Sequence, residues 1–127
     1  MYSTKEDFLK RVSEDDLNSL TDKEDDNLEE AINTADSIID GYLSNIFSEL
    51  PLDDTPKIIT QISIDIALYN LHSRLQYKDI PDHISKKYEG SIKLLEKIAS
   101  GEIKISIEDE PKQGKIIISS SPRREYR

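Results

Sequence analysis

A chain of 127 residues and 14.5 kDa is long enough to bury one hydrophobic core and too short for two. It contains no cysteine and two histidines, which excludes a disulfide framework, a thiol nucleophile and a thiolate zinc site, and points to a reducing compartment. Its formal net charge of −9 argues against a general nucleic-acid binder, because phosphate contact needs clustered lysine and arginine.

The charge is unevenly spread. Residues 1 to 54 carry 16 acidic against 4 basic residues, whereas 55 to 101 carry 5 against 7 and 102 to 127 carry 5 against 6. One end or face of the fold is therefore expected to be acidic, and solubilising charge is the default explanation of such a run. No window holds the roughly eighteen apolar residues of a membrane span, and MYSTKEDFLK lacks the basic-then-apolar layout of a signal peptide. A soluble protein used where it is made is expected.

Thr4 with Asp7 three residues on has the layout of a helix cap, and Phe8, Leu9 and Val12 follow at helical spacing, predicting a short helix over about 5 to 12. Ser13 repeats the device with Asp16, and Leu17 and Leu20 give a second short helix before Thr21 and the KEDD run. From Leu28, the residues Ile32, Ala35, Ile39, Tyr42, Leu43 and Ile46 fall in alternating steps of four and three, an amphipathic helix with one apolar stripe. Gly41 within it costs roughly 1 kcal/mol of helix propensity against alanine, a cost tolerated where another backbone approaches closely. LPLDDTP, with prolines at 51 and 56, separates this helix from the next.

The third long helix, over about 56 to 76, has two apolar faces rather than one. Ile58, Ile59, Ile62, Ile66 and Tyr69 cluster on one side, and Ile64, Ala67, Leu68, Leu71 and Leu75 on another. Polar seams divide them: Gln61, Asp65, His72 and Gln76 in one, Ser63, Asn70 and Arg74 in the other. Such a helix is either central to its own domain or gives one face to a partner subunit. A further helix over about 82 to 99 sets Ile84, Tyr88, Ile92, Leu95 and Ile98 on one side and ends at Gly101.

Beyond Gly101 the period changes to two, because Ile103, Ile105 and Ile107 alternate with Lys104 and Ser106, and KIIIS follows the EDEPKQG break. A hairpin or two extended segments is expected there, followed by the polar tail SSSPRREYR, which would be disordered in isolation. The fold class expected is mostly α, a bundle of four to five helices with a β-prone C-terminal extension. The domain division is a helical body over 1–101 and an extended arm and tail over 102–127.

Catalytic chemistry is poorly supported. His72 and Asp65 are close enough along their helix to pair, but no serine or glycine-rich elbow is positioned to use them, and a satisfied or exposed histidine is the commoner case. The doublets Asp15 and Asp16, Asp25 and Asp26, and Asp53 and Asp54 lie near helix starts, where carboxylates serve as caps and solvated charge. Four scattered glycines make no phosphate-cradling loop, and the acidic EDDLNSLTD segment does not suit a DNA-reading helix. No catalytic, cofactor-binding or metal residue is assigned and no cofactor is expected.

Taken in order, several weak motifs resemble one family. MYSTKEDFLKRVSEDDLNSLTD is similar to the opening of the Mu-like phage head-tail connector proteins, the adaptor or head-completion group. AINTADSIIDGYL is similar to their central signature, through Ala31, Ala35, Ile39, Asp40, Gly41, Tyr42 and Leu43. LPLDDTP, IDIALYNL, KKYEGSIKLLEKIASG and SSPRREYR continue in the family's order. Departures are Ser13 where glycine is usual, a longer stretch between Tyr42 and Pro51 without the usual arginine, Lys87 where arginine is common, and Tyr126 in place of phenylalanine.

The resemblance implies a structural, non-enzymatic protein of the virion, made in the bacterial host cytoplasm. It implies a homo-oligomeric ring beneath the portal protein that extends the DNA channel and docks the tail or the next connector, with DNA only as passing contents and no membrane partner. On that reading Ile62, Ile66, Tyr69, Leu68 and Leu71 are candidates for a subunit or partner interface, together with Ile116, Ile117, Ile118, Arg123, Arg124, Tyr126 and Arg127 from the arm. Asp15, Asp16, Asp25 and Asp26 are candidates to face the channel, where acid lets DNA slide without sticking. The rival reading is a cellular adaptor that binds a partner through its C-terminal strand or tail.

Overall fold

The computed structural model describes residues 1–75 and 79–105 of the chain. Among them are five helices and no strand: α1 (Lys5–Leu9), α2 (Glu14–Thr21), α3 (Asp25–Leu43), α4 (Lys57–Ser73) and α5 (Asp82–Ser100). The three long helices make the core, with α4 packed against both α3 and α5, which also touch each other. The two short helices close over this core, α2 resting on α3 and α4.

Local chemistry sets the starts and stops. Thr4 and Asp7 form a complete capping box on α1, and the Ser13 hydroxyl accepts the Asp16 N–H at the start of α2. After α2 the chain turns through two left-handed residues, Asp22 and Lys23, and Asp25 and Asp26 open α3 with negative charge at its positive dipole end. Pro56 precedes the first residue of α4 and Pro81 that of α5. Gly101 ends α5 with φ of 89°, a conformation glycine adopts without a Cβ penalty.

The central helix resolves the choice its sequence leaves open. Every residue from Ile62 to Leu68 is buried, around the full circumference of α4. Both apolar faces are thus enclosed by the chain's own helices. Of the expected interface set, Ile62, Ile66 and Leu71 are wholly inaccessible and Leu68 is 5% exposed, so within the single chain they pack as core. Tyr69 alone of that group is half-buried, stacked on Tyr88 of α5 with ring centroids 4.0 Å apart.

The expected β-prone extension is described only as far as residue 105. Ile103 donates its N–H to the Lys97 carbonyl at 3.2 Å, and Ile103 and Ile105 pack partly buried against the core while Lys104 is exposed. These residues are irregular rather than strand. Ile107 and the KIIIS run lie outside the described residues.

Candidate interaction surface

The N-terminal residues are fastened to the bundle by hydrogen bonds. Tyr2 is 3% and Ser3 1% exposed although neither is helical. The Tyr2 N–H donates to Asp36 of α3 at 3.1 Å, and its hydroxyl donates to Asp40 one turn further on. That same hydroxyl accepts the Leu52 N–H at 2.9 Å, which ties in the loop between α3 and α4. Ser63 of α4 donates to the other Asp36 oxygen at 3.1 Å and lies 2.8 Å from the Ser3 hydroxyl. Burial pushes the Asp36 carboxyl above its ordinary range, against the pull of the Tyr2 and Ser63 donors. Burial and the neighbouring Asp40 carboxylate likewise push the Tyr2 phenol upward, so it stays a donor.

A second polar cluster joins the turn between α1 and α2 to α4 and α5. Asp65 accepts from the Arg11 guanidinium at 3.2 Å through one oxygen and from the Ser91 hydroxyl at 3.1 Å through the other. Both carboxylate oxygens are therefore engaged without His72. Burial lowers the His72 pKa, and the nearby His83 adds to the shift. Arg74, after α4, donates to the Leu20 carbonyl at 2.9 Å and reaches Asp22 at 3.5 Å, fixing the end of α2. These clusters join elements of the bundle to one another.

The outward side of α2 and α3 is open surface. Asp15, Asp16, Asp25 and Asp26 are all exposed, and among the described residues Asp25 alone of the four takes a cation, Lys5 at 3.1 Å. Beside them Asp26, Glu29, Glu30, Asn33, Thr34 and Ser37 line a shallow, open depression of about 340 Å³ along α3. Ile116, Ile117, Ile118, Arg123, Arg124, Tyr126 and Arg127 lie outside the described residues. Among the described residues no group of three His, Cys, Asp or Glu side chains could hold a metal ion, and no helix is long and apolar enough to cross a membrane.

Sequence reading did not find the fastening of Tyr2, nor the joining of Arg11, Asp65 and Ser91. A signal was present in both cases. Ser63 and Asp65 interrupt the apolar faces of α4 at positions the structure buries, and a polar residue in such a place needs a partner from another element.

The family model described as Bacteriophage Mu, Gp36 matches residues 2–116. The Mu-like prophage FluMu protein gp36 of Haemophilus influenzae is 28% identical over 116 residues, spanning 87% of this chain and 79% of its own length. With the family's match running from the buried Tyr2 through all five helices, this chain belongs to the Bacteriophage Mu Gp36 family.

Proposed function

We propose that the protein is a structural head-tail connector of a tailed phage, one subunit of a homo-oligomeric ring beneath the portal that extends the DNA channel and docks the tail or the next connector. The observation that carries the reading is membership of a phage family over residues 2–116, which supports a phage structural or morphogenesis protein. The architecture is compatible with the finer role. The domain closes its own core around α4, so it can be built as a separate subunit and added to an assembly. Its exposed acids on α2 and α3 suit a wall past which DNA must slide. In this reading the helical body occupies residues 1–101, and the arm over 102–127 reaches the neighbouring ring, with Ile116, Ile117 and Ile118 pairing as an extended segment and Arg123, Arg124, Tyr126 and Arg127 gripping the partner.

A phage lacking the gene tests the role. It is expected to accumulate DNA-filled heads and separate tails under the electron microscope, joined again when the protein is supplied, and normal virions from the deletion would overturn the proposal. Replacing Asp15, Asp16, Asp25 and Asp26 by lysine should leave the circular dichroism unchanged and make DNA passage salt-sensitive. Unimpaired packaging and ejection with that variant would remove these acids from the channel.

A further inference from the structure

Two helices carry outward faces that the domain's own packing leaves bare. On α3, Glu30, Thr34, Ser37 and Gly41 recur at steps of three and four, all are exposed, and the first three line the open depression. On α5, Lys86, Gly90, Lys93 and Lys97 form a corresponding exposed row. None of these charged side chains has an ion-pair partner among the described residues. Each face also has a glycine well inside a long helix. A Cβ at Gly41 or at Gly90 would meet nothing within 4 Å, and neither backbone is left-handed, so nothing inside the domain calls for a glycine at either place. Helix stability is lower with glycine than with alanine there, and the circumstance in which a missing side chain helps is the close approach of a second backbone.

We propose that the α3 face of one copy receives the α5 face of a second copy, helix against helix. An antiparallel crossing brings Gly41 beside Gly90 and at the same time sets Lys97 opposite Thr34, one helical turn from Glu30; a parallel crossing carries Lys93 and Lys97 past the end of α3 when the glycines meet. Glu89 and Glu96 flank the lysine row on α5, so a slipped register places acid against acid, which fixes the alignment. The contact rests on the ring reading above and deepens it. It uses two different surfaces, so every added copy leaves one α3 face and one α5 face free until rotation closes the circle.

Because the chain has no cysteine, introduced cysteines report the contact directly in the full-length protein. Ser37→Cys and Lys93→Cys proteins, mixed under mild oxidation, should yield a mixed dimer several-fold in excess of either homodimer. The double variant should give a ladder of oligomers ending in a closed species. Glu30→Lys and Lys97→Glu should each cut the mixed-dimer yield several-fold at low salt, and restore it when the two are combined. Gly41→Leu should keep the helical circular dichroism and melting temperature yet abolish the ladder. A random mixture of dimers, no cross-link, or a ladder indifferent to these changes overturns the contact. Rings seen by electron microscopy alongside such a result would leave the ring reading standing, whereas cross-linked filaments that never close would keep the contact and overturn the ring.

Discussion

Asp36 and Asp65 are carboxylates held between helices of the same bundle, and they are satisfied in opposite ways. Asp65 on α4 has a cation, Arg11, on one oxygen and the Ser91 hydroxyl on the other. Asp36 on α3 is hydrogen-bonded, among the described residues, by the neutral Tyr2 N–H and Ser63 hydroxyl, and burial raises its pKa against these donors and the positive N-terminus. The first is an electrostatic clamp whose charges balance, and the second is a hydrogen-bonding hub whose charge is a liability. A clamp fails when one charge is removed, since the other is left buried and unpaired. A hub fails when a donor or acceptor is removed, and can tolerate loss of the charge itself.

The largest effect should follow Arg11→Ala. Asp65 would keep Ser91 but lose its cation while only 7% exposed, and the expected destabilisation is about 3 kcal/mol, the low end for a broken buried pair because the Arg11 side chain retains 26% exposure. Urea unfolding of the variant measures it, and a loss below about 1 kcal/mol, the size of an exposed ion pair, would show that the pair is no clamp. Tyr2→Phe should come next. It removes the hydroxyl that accepts from Leu52 and donates to Asp40, leaving a backbone N–H and a carboxylate short of a partner at about 1 to 2 kcal/mol. Hydrogen exchange should accelerate selectively at the Leu52 amide, and unchanged protection there would mean that the hydroxyl does not hold the loop.

The long helices were legible because each signal was local. The steps of three and four in α3, the prolines before α4 and α5, and Gly101 after α5 act within a few residues of themselves, and the observed helices run 25–43, 57–73 and 82–100. That α4 had two apolar faces was also legible, but not what covered them, since cover is a property of the tertiary arrangement. The partners of Asp36 and Asp65 were beyond reach for a related reason. They lie 34 and 27 residues from Asp36, and 54 and 26 residues from Asp65, and a single sequence carries no periodicity that pairs residues so far apart. Tyr2 in particular precedes the first helix and takes part in no periodic pattern, and its burial against α3 makes it a fastening.

The smallest effect on stability, and the sharpest on its pH dependence, should come from Asp36→Asn. The amide oxygen can still accept the Tyr2 N–H, and its NH2 group can donate to Ser63 if that hydroxyl donates to Ser3, 2.8 Å away. Stability near neutral pH should therefore change by no more than about 1 kcal/mol. The sign of the pH effect follows from the raised native pKa. Between the unfolded value of 3.8 and that raised value the folded state binds more protons than the unfolded state, so this group makes stability fall as pH rises through the window and levels off above it. With Asn at position 36 that contribution should vanish. Wild type and variant should thus differ most at neutral pH, to the relative advantage of the variant, and converge as the solution is acidified. Parallel stability curves for the two proteins across this window would show that Asp36 titrates alike folded and unfolded, and would overturn its reading as a hub whose charge is a liability.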